Sequence, residues 1–248
     1  MALRIGCDLD GVLADMEGEL VHQAEALFGE AMTRRLRETQ VPAVPDADPI
    51  DGSPAASPPP HENAPQLSTL RLTPRQHRRL WRHVETIENF WERLNEIEPG
   101  VLARLATIAA QRRWELIFLT KRPESAGRTA QQQTQRWLQS KGFALPSVFV
   151  VQGSRGLIAA GLDLDVVIDD RSENCLDVVM DSKARAMLVC REDPEQLPAA
   201  TRRLGIGIVT SMNQCLDILT EIDIAGKDQP GVMARVRKLL GLRQPASA

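Results

Sequence analysis

The sequence predicts an α/β protein built on a parallel sheet covered by helices on both faces. Three observations predict it. Short apolar runs alternate with stretches of helical periodicity, the pattern of strands buried on both faces. Several of these runs stop abruptly at a polar residue: Asp8, Thr120, and the pair Asp169 and Asp170. No internal repeat is visible.

The first apolar run, Leu3 to Cys7, reads as a buried strand ending at Asp8, with Gly11 as a turn residue behind it. A helix pattern follows from about Leu13 to Phe28, with apolar positions at Leu20, Ala24, Leu27 and Phe28. From Val41 to about Gln66 the composition shifts to Pro, Ala, Asp and Ser, including Pro58, Pro59 and Pro60. Prolines lack a backbone donor and block regular hydrogen bonding, so this stretch predicts a flexible loop.

Thr73 and Pro74 predict a helix start, because Thr caps well and Pro suits the first helical position. Leu80, Trp81, Val84, Ile87 and Trp91 continue that helix at helical spacing. Pro99 and Gly100 interrupt, and another helix runs to about Arg112. Glu115 to Leu119 is the next strand, ending at Thr120, and a Gln-rich helix covers about Ser125 to Ser140. Further strands follow at Ser147 to Val151, Asp165 to Ile168, Ala186 to Cys190 and Ile206 to Val209. Beyond about Asp228, Val232, Val236, Leu239 and Leu240 fall at helical spacing among basic residues, as in a peripheral helix or an oligomer contact.

Composition narrows the function classes. Apolar residues at 43% and charged residues at 25% describe an ordinary globular chain. A net charge of -3 makes no electrostatic case for a nucleic-acid polymer or a membrane surface. The arginines at 34, 35 and 37 and at 75, 78 and 79 read as solvated helix faces. The four cysteines form no CxxC pair, and His22, His61, His77 and His83 show no metal-ligand spacing. No basic-then-apolar leader and no membrane-length apolar run is seen, so a cytoplasmic protein is expected.

In an open parallel sheet, ligands bind outside the carboxyl ends of the strands. If the strands ending at Asp8, Thr120 and Asp169–Asp170 are neighbours, these residues converge on one crevice. Asp8 and Asp10 lie two residues apart, so a turn can point both carboxylates into one small volume. Carboxylates crowded together repel unless a cation neutralises them. A few hard oxygen donors suit Mg²⁺, which keeps waters and bridges to phosphate. One carboxylate can attack phosphorus, the other can exchange a proton, and a hydroxyl with a cation can hold the transferring oxygens.

Asp8-Leu9-Asp10-Gly11-Val12-Leu13-Ala14-Asp15 resembles the first motif of the haloacid dehalogenase (HAD) superfamily. Phe118-Leu119-Thr120 resembles its second and Val166-Val167-Ile168-Asp169-Asp170 its fourth, in the same order along about residues 3–190. The 5′-nucleotidase/deoxyribonucleotidase-like group is the nearest in look. That narrower resemblance rests on Thr120-Lys121-Arg122-Pro123, Thr134, Trp137-Leu138, and Phe90-Trp91 ahead of Pro99-Gly100.

The resemblance implies a Rossmann-like core from residues 1–15 and 114–228, a helical cap at 16–113 holding the Pro-rich loop at about 41–66, and a C-terminal helix and tail at 229–248. It also implies roles: Asp8 as nucleophile and metal ligand, and Asp10 as acid/base with its carbonyl on the metal. Thr120 would bind phosphate, and Asp169 or Asp170 would complete a Mg²⁺ shell; Lys121 or Arg122, just after Thr120, can supply extra positive charge. The third motif is usually a Lys; here Arg155 stands at that place, planar and always charged. The implied function is a Mg²⁺-dependent phosphatase acting on a small phosphorylated metabolite, with nucleoside monophosphates as one class. A phosphotransferase or phosphomutase on the same intermediate, and a catalytically weak phospholigand-binding protein, are the alternatives. Sequence leaves the oligomeric state open.

Overall fold

The computed structural model describes residues 2–38, 69–191, 197, 201 and 203–228, the side chains of 35–38 and 225–228 excepted. The Pro-rich stretch and the segment after residue 228 therefore lie outside the described residues. Six strands are formed: β1 (Arg4–Asp8), β2 (Glu115–Thr120), β3 (Ser147–Val150), β4 (Val166–Asp169), β5 (Arg185–Val189) and β6 (Gly207–Val209). The helices are α1 (Met16–Phe28), α2 (Glu30–Glu38), α3 (Pro74–Thr86), α4 (Val101–Arg112), α5 (Ala130–Ser140), α6 (Arg155–Gly161), α7 (Ser172–Asp181) and α8 (Met212–Asp228), with a 3₁₀ turn at Phe90–Glu92.

The chain divides into two compact units. The first comprises Met1–Ala14, Glu96–Lys121 and Gln135–Ala248. Its sheet has the order β3-β2-β1-β4-β5-β6, and every adjacent pair is parallel. The sequence expectation of a Rossmann-like parallel sheet is met. β1 sits between β2 and β4, and it is there that the chain's order along the sheet reverses. The register pairs Asp8 with Leu119 and Cys7 with Ile168. Asp8 is thus level with Asp169 and one residue short of Thr120.

The strands form because their side chains have apolar neighbours on both faces. Ile5, Phe118 and Ile168 are all fully buried, each contributing about 1.5–3 kcal/mol by leaving water. β3 departs from the expectation of a buried run. Phe149 and Val150 are exposed at 44% and 37%, because β3 is the last strand on its side of the sheet. α4 groups with the sheet unit rather than with the helices before it. Its buried face is Val101, Leu102, Leu105 and Ala109, and Arg104 ties it to Asn213 and Asp217 of α8.

The second unit comprises Asp15–Asn95 and Arg122–Thr134. Asp15 caps α1 by accepting the Gly18 N–H at 2.9 Å, so the helix starts later than the periodicity predicts. α3 opens with a full capping box, Thr73 Oγ1 accepting from Gln76 N and Gln76 Oε1 from Thr73 N. It ends at Thr86 rather than continuing through Trp91. Asn89 takes a left-handed conformation (φ 51°) and gives its N–H to Ala126 O at 2.8 Å, which a helical residue does not do. α1 packs on α3, and Leu80, Trp81, Val84, Phe90 and Trp91 are buried. The Phe90 and Trp91 rings meet edge to face at 4.8 Å. All four cysteines are buried free thiols. Among the described residues, no helix is long and apolar enough to cross a membrane.

Candidate active site

Asp8, Asp10, Thr120, Arg155, Asp169 and Asp170 all belong to the first unit and gather at the carboxyl ends of β1, β2 and β4. β1 delivers Asp8, whose residue is only 7% exposed. The chain then turns sharply through Gly11 at φ 89°. A Cβ on Gly11 would meet Asp170 Oδ2 at 1.9 Å. Only glycine lets the Asp170 carboxylate lie against the turn that follows Asp10. From β2, Thr120 is buried and donates its hydroxyl to Asp10 Oδ2 at 2.8 Å. That bond fixes one oxygen of Asp10 relative to the β2 end.

Arg155 is placed by a separate device. It is the first residue of α6, behind the N-cap Ser154, whose hydroxyl accepts from Gly156 N. α6 lies so close to α7 that a Cβ on Gly156 would meet Asp177 O at 2.1 Å. This close packing presses Arg155 into the core, where it is 2% exposed. Its Nη2 donates to Asp8 Oδ1 at 2.5 Å and its Nε to Asp169 Oδ2 at 3.4 Å. Nη1 is buried and has no hydrogen-bond partner among the described residues. Leaving a buried charged donor unpaired costs free energy comparable to losing a charge-assisted bond. Such a donor is what an oxyanion entering the crevice would satisfy.

Asp169 is the most committed of the carboxylates. Oδ1 accepts from Arg171 N (2.9 Å) and Asn174 Nδ2 (2.9 Å), and Oδ2 from Asn174 Nδ2 (3.0 Å) besides Arg155. Asp170, next along, is the freer group. Burial raises the Asp8 pKa well above 3.8, the Asp169 charge adds to it, and Arg155 opposes. Asp169 is raised as well, by burial against the pull of Arg155, Asn174 and the Arg171 N–H. Burial and then the Asp169 charge push Asp170 up to about 7. The crevice is thus short of positive charge for the carboxylates it holds.

Among the expected site residues, direct contacts join Asp8, Arg155 and Asp169 in one set and Asp10 with Thr120 in another, and Asp170 lies against the Gly11 turn. Lys121 follows Thr120 half-buried and enters no ion pair among the described residues. Phe90 and Trp91 are fully buried, which leaves neither ring a free face. Trp91 is held by Nε1 to Pro123 O at 3.0 Å and by the Arg122 guanidinium 5.0 Å above its ring. Asn174, on α7 just after β4, carries no periodic or spacing signal in the sequence. Among the described residues, no group of three or more acidic, His or Cys side chains stands assembled to hold a metal ion. The donor chemistry nonetheless suits Mg²⁺, which binds through one or two carboxylates plus waters and phosphate rather than through an all-protein cage.

No family model and no characterised protein sequence matches the chain. Solved structures do match. A provisionally assigned beta-phosphoglucomutase from Thermotoga maritima aligns with a TM-score of 0.50 at 19% identity, over 89% of this chain and 99% of that one. A HAD family hydrolase from Deinococcus radiodurans R1, solved with bound phosphate and sodium, aligns at 0.49 and 16% over 89% and 96%. A hydrolase from Pseudomonas syringae aligns at 0.48 and 17% over 89% and 99%. The first likeness shows a shared fold, an α/β core with a parallel, Rossmann-like sheet.

Proposed function

We propose that this chain is a Mg²⁺-dependent phosphohydrolase of small phosphomonoesters, working through an aspartyl-phosphate on Asp8. The observation that carries the reading is the Asp8–Arg155–Asp169 triad with Arg155 Nη1 buried and unpaired among the described residues. A nucleophilic carboxylate sits at 2.5 Å from a guanidinium that still has one donor to give, and Arg binds phosphate oxygens in that way.

In this reading an Asp8 oxygen attacks phosphorus. The new O–P bond forms as the ester O–P bond breaks, and the departing oxygen takes a proton from the Asp10 carboxyl. Water then attacks the phosphorus of the aspartyl-phosphate and gives its proton to Asp10. The Asp8–phosphorus bond breaks, releasing inorganic phosphate and restoring both carboxyl groups. The Thr120 hydroxyl holds Asp10 in place for both steps, and Arg155 carries the charge of the transferring oxygens. Asp8, the Asp10 carbonyl and Asp170 would hold Mg²⁺, which supplies charge neutralisation when bound. Asp169, with both oxygens engaged, would serve from behind. The helical unit is proposed as the cap that selects the leaving group, a role carried over from the resemblance. Phe90 and Trp91 lend no support to a nucleobase preference, because both are core residues.

The test is phosphate release from p-nitrophenyl phosphate and a panel of phosphorylated metabolites, with and without Mg²⁺. Metal-dependent release that disappears in Asp8→Asn supports the reading. Transfer to a second sugar with no free phosphate marks the phosphomutase alternative, and ligand binding without turnover marks the binding-protein alternative.

A further inference from the structure

Arg191 lies just past the end of β5, far in sequence from every motif described above, yet its guanidinium reaches the turn behind the nucleophile. Nη1 donates to the carbonyl of Gly11, and Nη2 to the carbonyl of Val12 at 3.0 Å. The same Nη2 meets Glu98 Oε1 at 3.1 Å. Glu98 is itself anchored: Oε1 accepts from Met212 N at 2.6 Å, and Oε2 from Asn213 N at 3.1 Å and Asn213 Nδ2 at 2.9 Å. Glu98 therefore caps the start of α8 and turns that cap toward Arg191. Burial works against its charge, but the Met212 and Asn213 N–H groups and Arg191 outweigh it and bring its pKa below 4.5.

The turn needs such support. It runs from Asp10 to Ala14 with one positive-φ glycine, and its backbone bonds are local: Gly11 N to Ala14 O at 3.2 Å, Leu13 N and Ala14 N to Leu9 O at 2.8 Å each. The carbonyls of Gly11 and Val12 point away from that local set and are taken up by Arg191. A second segment grips the turn's far end, with Ile97 N donating to Leu13 O at 3.0 Å. Glu98 follows one residue later, so the same short segment that pairs with the turn also carries the acid that orients Arg191.

We infer that Arg191 and Glu98 form a positioning pair that fixes the turn after Asp10, and thereby the placement of Asp10 as proton donor. Arg191 does not touch the reacting atoms. Its fork binds two successive carbonyls in a fixed plane, a geometry that a lysine ammonium does not reproduce. A misplaced Asp10 hinders protonation of the departing oxygen, and it hinders it most for esters whose leaving group is a strong base. This inference rests on the phosphohydrolase reading above.

The test compares kcat/KM for p-nitrophenyl phosphate and phenyl phosphate in the wild type, Arg191→Ala, Arg191→Lys and Glu98→Gln, all with Mg²⁺. The expected result is a loss of about tenfold to a hundredfold on phenyl phosphate and a much smaller loss on p-nitrophenyl phosphate. Asp10→Asn is expected to show the same dependence in stronger form. Arg191→Lys fails to rescue, and Glu98→Gln, which keeps the side-chain shape, shows a milder version and remains informative if Arg191→Ala does not fold. Equal losses on both esters, or none, in an active protein overturn the positioning role alone. A wild type that releases phosphate from neither ester overturns the phosphohydrolase reading, and this inference with it.

Discussion

A single buried guanidinium decides how the carboxylates of this crevice behave. Arg155 bridges Asp8 and Asp169 while itself 2% exposed. Removing one partner of such a group leaves uncompensated buried charge, which typically costs about 3–5 kcal/mol. Arg155→Ala is therefore expected to lower the melting temperature and, on the proposed reading, to abolish turnover with it. Arg155→Lys retains charge but loses the fork, so it should fold better than the alanine variant and hydrolyse p-nitrophenyl phosphate slowly. Equal stability of the two variants in thermal melts would show that charge at this position does not matter. Gly11 is a second sensitive point. Gly11→Ala meets both a positive φ and the Asp170 carboxylate. The φ penalty alone is about 1–3 kcal/mol, and the displaced Asp170 should weaken Mg²⁺ activation as well. The apparent Mg²⁺ constant for p-nitrophenyl phosphate hydrolysis, set against melting temperature, separates the two effects.

Elements were legible in the sequence where a local rule governs them. Thr73 and Pro74 announced α3 because capping is decided within four residues, and the structure has the complete box. Thr73→Ala is expected to cost about 1 kcal/mol, read as a shift in the thermal or urea midpoint with turnover unchanged. The strand tips Asp8, Thr120 and Asp169 were legible because an apolar run ends sharply at each, and the sheet order β2-β1-β4 then brings them together. Ends set by non-local contacts were not legible. α3 stops at Thr86 because Asn89 bonds to Ala126, a partner that the periodicity through Trp91 does not reveal. α5 starts at Ala130 instead of about Ser125, since Gly127 takes φ 92° and Thr129 Oγ1 accepts from Gln132 N at 3.3 Å. Arg191 and Glu98 escaped for a related reason. Each is one charge among several nearby in the sequence, and only the folded chain brings Arg191 to the Gly11 and Val12 carbonyls and Glu98 to Arg191.

Taken over the whole molecule, the site places a cluster of buried carboxylates in a fold that has one described buried cation against them. That imbalance has a thermodynamic signature. Asp170 is raised from 3.8 to about 7, first by burial and then by Asp169, and Asp8 and Asp169 are raised as well. Between these limits the native state keeps protons that the unfolded chain has released. Stability rises with pH only where the unfolded state binds more protons. Here the native state binds more, so these groups make the metal-free protein less stable as pH climbs from about 4 to about 7, after which the Asp170 contribution levels off. Glu98 acts oppositely: with its pKa lowered, its contribution is present above its unfolded value and lost as pH falls. Asp170→Asn isolates the first effect, because it removes that carboxylate and leaves Glu98 untouched. Thermal melts in chelator should show a shallower decline for the variant across the window. On the proposed reading Mg²⁺ binds the ionised carboxylates, so the stabilisation it gives should grow through the same window and be largest above about pH 7, reaching about 2.7 kcal/mol at a hundredfold excess over Kd. A wild-type melting temperature that does not respond to Mg²⁺ anywhere in that range would remove these carboxylates as the seat of the ion, whatever the activity measurements showed.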